Sequence, residues 1–242
     1  MIFIYILLGI AAIILSYICF IAICSLCVNP KKEYTKNSPF YRGLLYGISA
    51  PVLKLLGVRV HTSGLEMLPK DQKILFVGNH RSNFDPIIEW LALKPWQVAF
   101  ISKKANFSIP FFGRIIRKCC FLMIDRENPR NALVTFNTAS KLIKSGEVSI
   151  GVYPEGTRSK STEMLPFHDG VFFIAQKANC PITVMSLQGT EQIHKNVFRR
   201  HTDIYLDIAL FIPTEEVKSV TTHVIGANVR TALEESFNKV RS

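Results

Sequence analysis

The sequence predicts an α/β fold: a mixed or mostly parallel sheet flanked by helices, with an N-terminal membrane helix and a second apolar, interfacial helix. Three observations carry this. Short β-branched and aromatic runs, each stopped by a turn residue, recur from Val58 to Ile212. Stretches with apolar residues at three- and four-residue steps lie between them, as α/β alternation requires. Finally, Met1 to Pro30 holds no charged side chain, and its apolar stretch Ile2 to Val28 exceeds the ~20 residues that span a bilayer.

The N-terminal stretch has no basic start and no small-x-small exit, so an uncleaved anchor over 1–30 is expected rather than a signal peptide. Lys31 and Lys32 follow it, which predicts the remainder on the cytoplasmic side. After a polar break from Glu33 to Ser38, Pro39 to Leu56 carries Leu44, Leu45, Ile48, Val52, Leu55 and Leu56 at helical steps. Pro51 and the glycines argue against a clean span. An interfacial or re-entrant helix is expected over 31–57, with a helix packed on the sheet as the equal alternative.

The remainder, 58–242, reads in order. Strands are expected at Gly57 to His61, Ile74 to Val77, Trp96 to Ile101, Cys119 to Ile124, Val148 to Val152 and Asp203 to Ile212. Helices are expected at Asp85 to Leu93, Pro110 to Arg117, Asn128 to Gly146, Phe167 to Ala178 and Thr221 to Val240. In the third of these, Leu133, Phe136, Ala139 and Ile143 form one apolar stripe.

All 29 Lys and Arg lie after residue 30, so the formal charge of +11 belongs wholly to the part outside the anchor. Such a surface suits anionic lipid or nucleic acid. With no long basic run, no nucleic-acid module and an apolar N-terminus, lipid is the expected partner. The six Cys show no zinc spacing and read as small buried hydrophobes; neither a metal nor a redox cofactor is expected.

Candidate chemistry begins where the second strand ends, at Asn79-His80-Arg81-Ser82-Asn83-Phe84-Asp85. An Asp five positions after a His, across a loop entering a helix, is placed to fold back onto one imidazole nitrogen, raising the basicity of the other. Taken alone, the stretch is better read as a loop hydrogen bond with Asp85 as a helix N-cap before Pro86. A second stretch, Tyr153-Pro154-Glu155-Gly156-Thr157-Arg158-Ser159, reverses that. It follows another strand, its Pro and Gly force a tight loop, and Arg158 adds a planar cation suited to phosphate.

Together the two stretches resemble the motifs of the glycerolipid acyltransferases, specifically the 1-acyl-sn-glycerol-3-phosphate acyltransferase family. Asn79, His80 and Asp85 match its Asn-His-x4-Asp motif, and Tyr153 to Ser159 match its Phe/Tyr-Pro-Glu-Gly-Thr-Arg-Ser motif without a gap. Ser102-Lys103-Lys104 and Met123-Ile124-Asp125-Arg126 resemble its intervening segments, and Cys180 to Met185 its fourth, with Val184 where a second Pro is usual. The resemblance spans roughly 55–212.

It implies a membrane enzyme that moves a fatty acyl group from acyl-CoA or acyl carrier protein to the sn-2 hydroxyl of lysophosphatidic acid. His80 would be the general base and Asp85 its orienting partner. Lys103, Arg126 and Arg158 would hold the acceptor phosphate. Glu155, Gly156 and Thr157 would shape the loop and offer backbone N–H groups to phosphate or oxyanion. Other acceptors, such as glycerol-3-phosphate or another lysolipid, stay open, as does an anionic-lipid-binding protein without turnover.

Overall fold

A computed structural model of the chain describes all residues except 127, 160, 162, 198–200 and 239–242. The first helix, α1 (Ile2–Leu26), is apolar around its whole circumference and is 25 residues long. At 1.5 Å per residue it is about 37 Å long, enough to cross a hydrocarbon core of about 30 Å. Apart from Ile21 and Ser25, where its last turns meet the domain, it stays largely outside the core.

The second helix, α2 (Pro39–Leu55), opens with Pro at its first position, where the missing N–H is no loss. One face packs on the domain through Leu44, Leu45, Ser49 and Leu53, while Phe40, Val52 and Leu55 remain exposed. The segment is a helix packed on the domain, with apolar side chains on its outer face. Its fastening is polar. Arg42, almost wholly buried, donates through Nη1 to the Val98 carbonyl and through Nη2 to the Cys119 carbonyl, both at 2.9 Å, and through Nε to Asn37. Tyr41 Oη donates to the Cys24 carbonyl, coupling α2 to α1.

Among the described residues the sheet has seven strands, six on runs anticipated from sequence and one, Ile182–Gln188, that was not. They are β1 (Val58–Ser63), β2 (Leu75–Gly78), β3 (Ala99–Lys103), β4 (Leu122–Ile124), β5 (Ile150–Val152), β6 (Ile182–Gln188) and β7 (Thr202–Ile212), in the order β1-β7-β6-β2-β5-β3-β4. Five strands, from β6 to β4, run parallel; β7 is antiparallel to β6, and β1 parallel to β7. β2 lies in the middle with all four residues buried, as a strand covered on both faces must be. Around the sheet lie α3 (Asp85–Ala92), α4 (Lys104–Phe107), α5 (Phe112–Lys118), α6 (Pro129–Lys144), α7 (Phe173–Ala178), α8 (Ile193–Asn196), α9 (Thr214–Ser219) and α10 (Thr222–Asn238).

Local chemistry moves some expected boundaries. Cys119 and Cys120 are not in a strand; they form the exit turn of α5, with Cys120 in the left-handed region at φ 61°, and β4 begins only at Leu122. Trp96 closes a 3₁₀ turn whose indole N–H donates to the Pro69 carbonyl, which delays β3 to Ala99. The expected helix from Phe167 starts instead as a 3₁₀ turn, Asp169–Phe172, before α7. The expected end of the last helix at Val240 lies outside the described residues.

One glycine is required by packing. Gly151 in β5 is the register partner of Phe100 in β3, and a Cβ there would run into the Phe100 ring. Gly151→Ala is expected to destabilise the fold by about 1–3 kcal/mol, the usual penalty of overpacking. Arg42→Met should cost about 2–4 kcal/mol, because two buried carbonyls each lose a donor. Thermal unfolding of the detergent-solubilised protein checks both.

Candidate active site

Because β2, β3, β4 and β5 run parallel, the loops that follow them emerge at one edge of the sheet, where α/β folds bind ligands. His80 follows β2, Lys103 ends β3, Arg126 follows β4 and the 153–159 loop follows β5. Sequence segments far apart meet there for topological reasons.

Asp85 is completely buried, and its carboxylate is surrounded by donors. Oδ2 meets His80 Nδ1 at 2.8 Å and accepts from the backbone N–H groups of Arg81 and Ser82 at 2.7 Å each. Oδ1 accepts from the Thr190 hydroxyl at 2.6 Å. An N-cap would accept from residues further along the helix. Asp85 is instead the first residue of α3 and reaches backwards to His80, so the N-cap alternative does not hold. With Nδ1 given to Asp85, Nε2 is the nitrogen left for the cleft that His80 lines.

The two loops hold each other. His80 donates its backbone N–H to Glu155 Oε1 at 3.0 Å, and its carbonyl accepts from the Ser159 N–H at 2.9 Å. The other Glu155 oxygen accepts from the Leu165 N–H. Asn79 fastens the first loop to β6, donating through Nδ2 to the Leu187 carbonyl and accepting from its N–H, both at 2.8 Å.

A cleft of about 490 Å³ opens at His80, lined also by Lys103, Arg126, Thr157 and Arg158. The five residues expected to meet substrate at different points of the chain are therefore gathered on one concavity. Among the described residues, no ion pair engages the three cations. Their charge is left to face a ligand, and Arg with Lys is suited to phosphate. A second cavity of about 440 Å³ adjoins, sharing Ile101, Arg126, Tyr153 and Thr157, and its wall of Ile124, Ala132, Phe136, Val152 and Val171 is apolar.

The 153–159 loop departs from expectation at one backbone group, the Gly156 N–H. Glu155 is buried, with both carboxylate oxygens committed to backbone N–H groups, so it supports the loop and does not face the cleft. Gly156, at φ +68°, closes a turn by donating its N–H to the Tyr153 carbonyl, so that N–H is not offered to an anion. Thr157 borders both cavities.

Four contributors had escaped the sequence reading: Asn79 as a clamp, Thr190, Tyr153 and Glu89. Tyr153 stacks on His80, and Glu89 accepts from its hydroxyl. Glu89 sits four residues after Asp85, a spacing that places both on one helix face and was legible. Thr190 had no signal, because it arrives from beyond β6. The buried cysteines take no part: burial pushes the Cys119 thiol up to about 11 and those of Cys120 and Cys180 up to about 12, far from the thiolate a nucleophile needs.

The geometry agrees with comparisons to known proteins. The acyltransferase family model matches residues 59–188, a span that contains both loops. A Haemophilus influenzae protein named 1-acyl-sn-glycerol-3-phosphate acyltransferase is 32% identical over 174 residues, 70% of each chain. A Limnanthes douglasii protein of the same name is 32% identical over 161 residues, which are 65% of this chain and 56% of that one. A Bacillus subtilis protein, also so named, is 30% identical over 161 residues, 64% of this chain and 77% of its own. Among solved structures, the 1-acyl-sn-glycerophosphate acyltransferase PlsC from Thermotoga maritima superposes with a TM-score of 0.64 at 24% identity, over 83% of this chain and 81% of that one, and shares its fold. With the family match running through the loops that build the cleft, and with a relative matched over most of both chains, this chain belongs to the acyltransferase family.

Proposed function

We propose that this acyltransferase moves a fatty acyl group from a thioester donor, acyl-CoA or acyl carrier protein, to the sn-2 hydroxyl of lysophosphatidic acid, giving phosphatidic acid. The observation that carries the reading is the His80–Asp85 pair, 2.8 Å apart, opening on a cleft with three cations beside an apolar cavity. A phosphate, a hydroxyl to be activated and a long acyl chain are the three demands of that reaction. The relatives' names supply the acceptor.

His80 Nε2 takes the proton of the acceptor hydroxyl as its oxygen attacks the thioester carbonyl. The positive charge that forms on the ring is met by the Asp85 carboxylate through Nδ1, which also holds the tautomer. The tetrahedral adduct collapses, the C–S bond breaks, and the imidazolium returns its proton to the departing thiolate. Lys103, Arg126 and Arg158 grip the acceptor phosphate, and that grip sets the hydroxyl against His80, so they act by positioning. Thr157, between the cavities, stands beside the reacting carbonyl. The chain uses no metal or redox cofactor in this scheme.

The domain division follows the same reading. Residues 1–30 anchor the chain, 31–57 lay the exposed Phe40, Val52 and Leu55 of α2 against the bilayer, and 58–242 form the catalytic domain on the cytoplasmic side. Lys31 and Lys32 at the helix exit support that orientation.

The test is release of free thiol from acyl-CoA, and separately from acyl carrier protein, by the solubilised protein with and without lysophosphatidic acid. Acceptor-dependent release is expected, and its absence with both donors would overturn the reading. His80→Ala should lower turnover at least ~10²-fold with the fold intact; near-normal turnover would remove it as the base. Arg126→Ala and Arg158→Ala should mainly raise KM for lysophosphatidic acid, and an unchanged KM would take them out of the phosphate site.

A further inference from the structure

The imidazole of His80 lies flat on the phenol of Tyr153, with ring centroids 4.2 Å apart and planes 7° apart. Tyr153 also stacks on Phe100 at 5.8 Å and 17°. Phe100 in turn occupies the space that Gly151 leaves open. Three nearly parallel rings therefore rise from the sheet to the base. Tyr153 Oη donates to Glu89 Oε2 at 2.7 Å. Glu89 has no exposed surface, its Oε1 lies beside Gly78, and that atom has no hydrogen-bond partner among the described residues.

A single hydrogen bond to Asp85 fixes where Nδ1 sits but leaves the ring able to rock about that contact. A flat neighbour removes the rocking. The face of an aromatic ring is also its negative face, so it favours the charged over the neutral imidazole.

We propose that Glu89 and Tyr153 are positioning residues for His80: the buried carboxyl pins the phenol, and the phenol ring fixes the imidazole plane and faces its positive charge as that charge forms. The proposal rests on the reading of His80 as the base. Burial, opposed by the Tyr153 hydrogen bond and reinforced by nearby Asp85, pushes the Glu89 carboxyl well above the usual carboxylate range. It works as an uncharged acceptor, which spares the site a second buried negative charge four residues from Asp85. The other charged groups around His80 are Asp85 on its ring, Glu155 on its backbone N–H, and Lys103, Arg126 and Arg158 across the cleft.

The experiment compares Glu89→Gln, Glu89→Leu, Tyr153→Phe and Tyr153→Leu in the full-length, solubilised protein, with thermal unfolding as a folding control. Two readouts are used: kcat and KM for acyl transfer, and the pH dependence of His80 modification by diethyl pyrocarbonate, followed by mass spectrometry without any substrate. Glu89→Gln, the isostere of an uncharged carboxyl, should keep kcat within about threefold of wild type. Glu89→Leu and Tyr153→Leu should lower kcat about tenfold or more while KM for either substrate stays within about twofold, as expected when only the reacting group is misplaced. Tyr153→Phe, which keeps the ring and loses the tether, should fall between.

Loss of the ring disfavours the imidazolium, so the modification midpoint in Tyr153→Leu should move to lower pH by about half a unit to one unit. An unmoved midpoint, or a kcat in a folded Glu89→Leu equal to wild type, overturns the proposal. A Glu89→Gln loss as deep as that of Glu89→Leu overturns it too, since the carboxyl would then act by charge. If the wild type transfers no acyl group, the proposed function falls, and the modification midpoint still decides whether Tyr153 sets His80.

Discussion

A carboxylate with no exposed surface must find every hydrogen bond it needs inside the protein, and at Asp85 that requirement shapes the site. Its two oxygens collect four partners from three places: the His80 ring, the Arg81 and Ser82 N–H groups, and the Thr190 hydroxyl. To supply the backbone donors, the chain between β2 and α3 has to bend back over the helix start. That bend is what turns the His80 ring towards the cleft. To supply Thr190, the end of β6 must lie beside β2, which the sheet order provides.

Three of the buried ionisable side chains are handled differently. Asp85 is satisfied by donors. Arg42 is satisfied by carbonyls, and spends its charge on fastening α2 to the turn at Cys119 and the approach to β3. Among the described residues Glu89 has one side-chain hydrogen bond and an oxygen without a partner, and burial pushes it towards its neutral form. Two carboxyls one helical turn apart are thus given different environments, one rich in donors and one nearly dry. Their unlike surroundings suit one to steadying a cation and the other to holding a ring.

The cations follow the opposite rule. Lys103, Arg126 and Arg158 stand exposed at the cleft rim, each at or just beyond a strand end, while the apolar wall lies deeper between β5 and α6. Water can reach the charges before a ligand arrives, although partial burial draws the Arg126 guanidinium below its usual range. A ligand with an anionic head and an apolar tail meets both surfaces at once. Beside this, α2 leaves apolar side chains on its outer face, and α1 is long and apolar enough to cross a membrane.

By itself the sequence determined the periodicities, hence six of the seven strands and most helices, and the charge-free N-terminal helix. It also determined the chemistry-bearing loops, because His80, Asp85 and the 153–159 stretch are contiguous motifs whose spacing does not depend on what surrounds them. What only the tertiary structure decided is which of those residues share a surface and which serve as struts. Glu155 belongs to a motif, yet its carboxylate faces the His80 N–H; Thr190 belongs to none, yet completes the Asp85 shell. Cys119 and Cys120 read as strand by composition but turn at the end of α5, where Arg42 takes the Cys119 carbonyl. The physical reason is the same in each case. Hydrogen bonds between residues 75 to 105 positions apart depend on strand order and register, and those are set by packing of the whole sheet rather than by any local run of residues.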